Sequence, residues 1–295
     1  MPEAVVIVSG GSAISPFTTP DAVCRSGQQA GSTDSFLRSE LLAQGHTVFT
    51  APAHAGPGPA ERDSGFAGFD DPAEVLSESL TINSLGSIDE AGARLVRLLC
   101  YLEERFGYDQ FSIVAHSMGG LFSTAAMNQL SDSPVTVSRL ITIGTPWDGG
   151  FAADYAAGDL DLSEAQGNPA FEQILTEFAN AVHDLPADNA GQQVTAGFLR
   201  RWLPTQVAAL DQLAVTLIAG EAFTGAGSMW PNDGLVTVPS ALAHAVPGSA
   251  LGAAPRYQFA DAHSIYFADM FGLPWERALT WDPAVIATVG QALKA

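Results

Sequence analysis

The sequence has 295 residues, of which 47% are hydrophobic and 15% charged, so it can bury a large core. Its formal net charge is −20, with 32 acidic against 12 basic residues, and Lys294 is its only lysine. Such a surface repels nucleic acids and anionic lipid headgroups, which argues against both as partners, and it favours uncharged substrates. The two cysteines, Cys24 and Cys100, do not make a disulfide framework, and Cys100 is expected to be a buried small hydrophobe.

The chain opens with a short apolar run at residues 4–8. No basic segment precedes this run, and it is too short for the hydrophobic region of a signal peptide or for a membrane span. As the sequence stands, we expect a cytoplasmic protein without an integral membrane segment, and a secreted mature form is left open. The sequence contains no signal for the oligomeric state.

Apolar runs and helix signals alternate along most of the chain. Ser87 and Glu90 form a capping box before a long amphipathic helix that Gly107 ends. Helices are predicted near 36–42, 88–106 and 119–129. Strands are predicted near 4–9, 47–50, 111–116, 139–145, 215–218 and 257–259. This alternation is typical of a mostly parallel central sheet with helices on both faces.

The alternation breaks between residues 147 and 212, where only helical segments are predicted. Since the chain leaves the sheet there and returns to it, we interpret 147–212 as a helical cap or lid insertion. Residues 1–146 and 213–295 then form the core domain. A loop at 51–85, rich in Gly, Pro, Ala and Asp, is long enough to be a functional loop or the rim of a pocket.

The segment Ala115-His116-Ser117-Met118-Gly119 lies between a predicted strand and a predicted helix. It fits the nucleophile elbow G-x-S-x-G, with Ala115 in the first glycine position. Small residues are needed at 115 and 119 because a larger side chain would collide with the neighbouring strand or helix. The pattern predicts Ser117 as a nucleophile; the alternative is a plain turn with an incidental serine.

A serine nucleophile needs a base and an acid, which follow it in the order acid, histidine in this architecture. Of the six histidines, His263 is the predicted base because it follows the last predicted strand. Asp233 is the preferred acid because it lies in a turn that can direct a carboxylate inward, and Glu221, directly after the preceding strand, is its rival. Neither a metal nor a cofactor is expected, since no ligand spacing such as H-E-x-x-H occurs.

Acyl transfer also needs two N–H donors directed at the developing oxyanion. The amide of Met118, directly after the nucleophile, is the first predicted donor. The second is expected from the glycine loop after the first strand, where Gly11 is preferred and Gly10 and Ser12 are close alternatives. A plain glycine turn at the end of the strand is the competing interpretation.

Three motifs, at residues 115–121, 143–150 and 232–241, together resemble the α/β-hydrolase superfamily, and most closely its bacterial lipase and esterase-type members. The resemblance implies a serine hydrolase that cleaves carboxylic esters through an acyl-enzyme. Ser117, Asp233 and His263 then match the nucleophile, acid and base positions of the family. One departure concerns the oxyanion loop, where Ser9-Gly10 replaces the usual His-Gly pair.

The substrate is predicted to be a hydrophobic, uncharged small-molecule or lipid ester, because the cap is apolar and the chain is poor in cations. Trp147 and Trp230, among the many aromatic residues in or near the cap, are predicted to bind it. A thioesterase or acyltransferase with the same triad is an alternative. A hydrolase fold that only binds ligands is a further one.

Overall fold

The computed structural model of the protein describes residues 3–13, 34–59, 76–130 and 133–295. Within these ranges the strands are β1 (Glu3–Val8), β2 (Val48–Thr50), β3 (Ala53–His54), β4 (Ile82–Asn83), β5 (Gln110–His116), β6 (Thr136–Ile143), β7 (Ala214–Gly220) and β8 (Arg256–Phe259). The helices are α1 (Ser35–Ala43), α2 (Ile88–Phe106), α3 (Gly119–Gln129), α4 (Phe151–Ala157), α5 (Pro169–His183), α6 (Ala190–Gln193), α7 (Ala196–Trp202), α8 (Val238–Ala241), α9 (Ser249–Ala253), α10 (Ile265–Met270) and α11 (Pro283–Ala292). Cys24 and residues 60–75 of the predicted rim loop lie outside the described ranges.

The main sheet, as far as the described residues define it, has six strands in the order β2-β1-β5-β6-β7-β8. Every pairing in it is parallel, and β3 and β4 form a separate parallel pair. The register places Val8 at the end of β1 opposite Ala115 near the end of β5. Because the carboxyl ends of parallel strands share one edge, the loops after β1, β5, β7 and β8 meet there.

Helices cover both faces of the main sheet. Alternate residues of a strand point to opposite faces, so Val6 and Ile113 pack into one core with α2 and α3. Val5 and Ile7, which flank Val6 in β1, pack into a second core with α1 and α11. The predicted mostly parallel sheet with a helical layer on each side is confirmed.

The long helix α2 begins and ends as predicted, but only one half of the predicted capping box forms. The Ser87 hydroxyl oxygen accepts a hydrogen bond from the Glu90 amide at 3.2 Å, and Gly107 ends the helix with a φ of 78°. The Glu90 carboxylate accepts a bond from Arg94 at 2.7 Å, so it is directed along the helix rather than back to the cap. Among the described helices, none has both the length and the apolar composition needed to cross a membrane.

Cys100, on α2, is half-buried rather than enclosed as expected, and its sulfur lies 3.4 Å from the Ser133 hydroxyl oxygen. The difference arises because residue 100 lies beside the fully buried stripe of the helix. Leu98, Leu99 and Leu102 form that stripe.

The insertion between β6 and β7 consists of helices and the turns that join them, and residues 147–212, all of which are described, contain no strand. Its first part, α4 and α5, packs in a core with residues that follow β7 and β8. Its last part joins the core that α2 and α3 form on the sheet, and the Trp202 indole donates a 3.0 Å hydrogen bond to Asp89 on α2. The two ends of the insertion therefore pack in different cores.

The tight contact between α2 and α3 predicts a stability difference between two Gly→Ala variants. A Cβ on Gly92 would lie 2.6 Å from the Ala125 Cβ, whereas a Cβ on Gly252 in α9 would have no atom within 4 Å. Gly92→Ala should lower the free energy of unfolding by about 1–3 kcal/mol through overpacking. Gly252→Ala should raise it by up to ~1 kcal/mol, because alanine restricts the unfolded chain. Urea unfolding measures both, and a Gly92→Ala protein as stable as the native chain would contradict the packing argument.

Candidate active site

The turn at Ser117 joins β5 to α3 and requires small neighbours. Ser117 has a φ of 55°, in the left-handed region that non-glycine residues rarely adopt. A Cβ on Gly119 would lie 2.2 Å from the Val8 carbonyl oxygen. The Ser117 amide donates to the Ile143 carbonyl at 2.8 Å, and the Thr145 hydroxyl donates to the Ser117 carbonyl at 2.8 Å. The turn is thus fixed from both neighbouring strands, with the serine side chain at the carboxyl edge of the sheet.

His263, in the loop after β8, connects Ser117 to Asp233. Its Nε2 lies 2.9 Å from the Ser117 Oγ, and its Nδ1 lies 2.7 Å from the Asp233 Oδ2. All three side chains are buried, with relative exposures of 7% for Ser117, 3% for His263 and 0% for Asp233. Because an ionised carboxylate only accepts hydrogen bonds, this geometry assigns the proton of a neutral imidazole to Nδ1. Nε2 is then free to accept the serine proton.

Asp233 is held by the turn that contains it. Its Oδ1 accepts hydrogen bonds from the Leu235 amide at 3.0 Å and the Val236 amide at 2.7 Å. Its carbonyl oxygen also accepts a 2.7 Å bond from the His263 amide, so acid and imidazole are joined by both side chain and backbone. Two hydrogen bonds therefore hold the acid within its turn, and two more join that turn to the base loop.

Glu221, the rival acid, does not reach the imidazole. It follows β7 directly, and its amide donates to the Phe259 carbonyl at 2.7 Å. In the described part of the chain, no hydrogen bond joins its side chain to His263. The structure brings Asp233, the preferred candidate, to the imidazole.

The predicted oxyanion donors lie on two loops that meet at Ser117. A Cβ on Gly10 would lie 2.5 Å from the Ser117 Cβ, and one on Gly11 would lie 2.9 Å from the Met118 sulfur. The Ser12 amide bonds to the Ser84 carbonyl at 3.4 Å. Within the described ranges, the amides of Gly10, Gly11 and Met118 have no acceptor, so the structure leaves Gly10 and Gly11 as alternatives for the second donor.

A cavity of about 500 Å³ opens onto Ser117 and His263. Its size lies within the usual range for small-molecule sites, and most of its wall is apolar. One wall is formed by a face of α5 and the residues after it, namely Ile174, Phe178, Ala181, Val182 and Leu185. Leu235 and Val236 line it from the loop after β7, and Tyr266 and Phe267 line it from α10. Ala55, Ser84 and Leu85 of the predicted rim loop also line it, as expected for a rim.

Trp147 and Trp230 do not line this cavity, which contradicts their predicted role in binding substrate. Trp147 is fully buried just after β6, with its indole N–H 3.4 Å from the Thr142 hydroxyl oxygen. Trp230 packs edge-on against Phe171 at 4.8 Å, and its indole donates to the Glu164 carbonyl at 3.4 Å. Both indoles complete apolar cores and find their polar partners there. The prediction rests on their large apolar area, and that area packs against the cores rather than against the cavity.

Phe267 and Gly144 are site residues that sequence reasoning missed. The Phe267 ring is perpendicular to the His263 ring with centroids 5.8 Å apart, and a Cβ on Gly144 would lie 3.0 Å from the His263 Nδ1. Together they confine the imidazole between two elements. Phe267 could have been found from its place one helical turn after His263, whereas Gly144 gave no signal beyond its position at a strand end.

Asp261, two residues before His263, is buried and accepts a 3.2 Å hydrogen bond from Arg277. Burial, followed by the neighbouring Asp282 carboxyl, raises the pKa of Asp261 to about 7. The base loop therefore contains a carboxyl group that is partly protonated near neutral pH.

Comparison with known proteins gives the same architecture. A family model described as an alpha/beta hydrolase of unknown function matches residues 79–194. The mature lipase BlEst2 of Bacillus licheniformis is similar in structure, with a TM-score of 0.56 and 15% identity over 98% of this chain and 91% of that chain. This chain has the α/β-hydrolase fold.

Two other solved lipases show a comparable structural likeness to this chain. Lipase 1 from Pelosinus fermentans has a TM-score of 0.53 at 13% identity, covering 98% of this chain and 98% of its own. The lipase of Staphylococcus hyicus has a TM-score of 0.51 at 13% identity, covering 99% of this chain and 94% of its own. No curated protein sequence matches the chain. The predicted resemblance to the α/β-hydrolase superfamily is confirmed at the level of the fold.

The raised pKa of Asp261 predicts a pH dependence of the stability of this protein. The unfolded carboxyl ionises near pH 3.8 and the folded one near pH 7. The contribution of Asp261 to stability is therefore greatest below pH 4 and is lost as the pH rises to 7. Through Asp261, the native protein should lose on the order of 1–4 kcal/mol in its free energy of unfolding between pH 4 and 8. In Asp261→Asn this loss should be absent. Asp159→Asn, at an exposed carboxyl, is the control, and parallel pH profiles for the native protein and Asp261→Asn would contradict this assignment.

Proposed function

We propose that this chain is a serine hydrolase that cleaves carboxylic esters through an acyl-enzyme. The proposal rests on one observation: Ser117, His263 and Asp233 form a hydrogen-bonded chain beside an apolar cavity. The His263 Nε2 lies 2.9 Å from the Ser117 Oγ, and its Nδ1 lies 2.7 Å from the Asp233 Oδ2. The fold and the lipases among its structural neighbours support the same reaction class. Burial of all three side chains adds support, because charge separation in such a site is stabilised by fixed partners rather than by water.

In the proposed acylation step, the Ser117 Oγ attacks the ester carbonyl carbon as the His263 Nε2 takes its proton. Asp233 keeps the imidazole in the required tautomer and stabilises the imidazolium. The negative charge that develops on the carbonyl oxygen is stabilised by the amides of Met118 and Gly11. The protonated His263 then gives its proton to the departing alcohol, which leaves the acyl group on Ser117.

Deacylation repeats these roles with water as the nucleophile. His263 takes a proton from water, whose oxygen attacks the acyl carbon, and then returns it to the Ser117 oxygen as the acid leaves. A thiol ester or a different acyl acceptor would use the same residues. Thioesterase or acyltransferase activity is therefore a question of which acyl compound and acceptor enter the cavity.

The proposed substrate is a hydrophobic, uncharged ester whose acyl chain lies against α5. Ile174, Phe178 and Val182 present apolar side chains along this wall, one helical turn apart. Glu177 also lies in the lining, and the net charge of the chain is −20, so an anionic substrate would be disfavoured. Small-molecule and lipid esters both fit this description.

The proposal predicts that Ser117→Ala abolishes ester hydrolysis. With a series of p-nitrophenyl esters, kcat/KM should fall by at least about 10³-fold at every chain length, because the nucleophile is removed. The native protein should hydrolyse medium-chain esters faster than acetate, since only longer chains fill the apolar cavity. Ser133→Ala, at a serine distant from the cavity, should match the native rates. Hydrolysis by Ser117→Ala at the native rate would refute the mechanism.

The two candidate acids predict different outcomes for matched amide variants. Asp233→Asn should lower kcat by about 10⁴-fold, because the amide favours the wrong imidazole tautomer. Glu221→Gln should change kcat by less than about twofold, since its side chain lacks a bond to His263. Steady-state kinetics on the preferred ester measures both variants. A crippled Glu221→Gln protein beside an active Asp233→Asn protein would show that the acid is Glu221.

A further inference from the structure

Asp34 is a buried carboxyl group that the proposed reaction does not use. It lies directly before α1 and is 3% exposed. The Ser9 hydroxyl donates a hydrogen bond to its Oδ2, while its buried Oδ1 has no hydrogen-bond partner in the described part of the chain. Burial raises the pKa of Asp34 to about 7. A carboxyl group enclosed with so few partners is costly and calls for a function.

The unpartnered Oδ1 of Asp34 faces His116, the residue before the proposed nucleophile. Oδ1 lies 4.0 Å from the His116 Nδ1, and the His116 Nε2 lies 2.9 Å from the backbone oxygen of His263. Because a carbonyl oxygen only accepts, the His116 Nε2 is the donor in that bond. Burial, and secondarily the nearby His263, lowers the pKa of His116 to about 3, so the ring is neutral and its Nδ1 carries no proton. The His116 and His263 rings lie 4.8 Å apart.

These contacts join all three loops of the proposed site. Ser9 directly precedes Gly10 and Gly11 of the oxyanion loop, and His116 directly precedes Ser117. His116 also holds the backbone of the proposed base, His263. The Asp34 side chain is thus bonded to the oxyanion loop through Ser9, and it also faces His116, the residue that holds the base.

We propose that Asp34 is a positioning residue that, through Ser9 and His116, fixes the oxyanion loop and His263 relative to Ser117. This inference rests on the proposed ester hydrolase function. Asp34 touches neither the substrate nor Ser117 in this arrangement, and it acts only through its two neighbours. Loss of its carboxyl group removes the acceptor of the hydrogen bond from the Ser9 hydroxyl and leaves the His116 Nδ1 without a facing group. Gly11 and His263 then sample positions outside the geometry needed for attack.

The test compares Asp34→Ala, Asp34→Asn and the control Asp109→Ala in ester hydrolysis. Asp109 is a partly buried carboxyl group directly before β5, and Ser117 follows the other end of that strand, so Asp109→Ala removes a carboxyl group away from the site. Asp34→Ala should lower kcat by about 10- to 100-fold with KM changed by less than about threefold, because misplaced catalytic groups affect the chemical step. Asp34→Asn should keep kcat within about threefold of the native value, because its amide still accepts from Ser9 and donates toward His116. Asp109→Ala should keep the native kcat.

A double-mutant cycle separates positioning from simple loss of structure. Asp34→Ala and His116→Phe should each lower kcat, and the loss in the double variant should be smaller than the product of the two single losses, because both variants break the Asp34–His116 contact. Multiplicative effects in the double variant would overturn the proposal. Thermal unfolding of each variant shows that the kinetics report folded protein.

Two further outcomes separate failure of this inference from failure of the proposed function. An Asp34→Ala protein with native kcat, beside an active native protein, overturns this inference and leaves the proposed function intact. A native protein that neither hydrolyses esters nor reacts at Ser117 with a fluorophosphonate overturns both. If Asp34→Ala does not fold, Ser9→Ala decides, because it removes only a hydroxyl: a lowered kcat supports the proposal and a native kcat overturns it.

Discussion

The close approach of the first strand to the serine turn is the constraint on which the site depends. The Val8 carbonyl leaves no room for a side chain at residue 119, and Gly10 lies against the Ser117 side chain. This contact requires β1 and β5 to be neighbours in register, which the pairing of Val8 with Ala115 provides. The same contact brings the glycine loop after β1 to the serine, so strand pairing and the placement of the proposed oxyanion donors have one cause.

The polar groups of the site are organised by backbone as much as by side chains. Asp233 receives two amide bonds, His263 is bonded through its own backbone at both its amide and its carbonyl, and Ser117 is held through its amide and carbonyl. Buried polar groups need such partners, and each bond also removes a conformational freedom. A preorganised site of this kind needs little rearrangement as charge develops.

The elements that were predictable from sequence are those with local signals. The strand, turn and helix around Ser117 follow from small residues at fixed spacing, and His263 follows from its order after the last strand. The choice between Asp233 and Glu221 stayed open because it depends on how the chain returns to the sheet after β7. The cavity wall, and the interior positions of Trp147 and Trp230, depend on how α5 docks on the core. Asp34 gave no signal because both of its neighbours in the site are distant in sequence.

The proposed base is carried by the least protected strand of the sheet. β8 is short, lies at the edge of the main sheet and is partly exposed, with Tyr257 at 40%. Ser117, by contrast, follows the central strand β5, which has neighbours on both sides. Local opening at an edge needs less free energy than global unfolding. Detachment of β8 would free the loop that holds His263 while the other strands stay paired, so we expect the base to leave its place before the core unfolds.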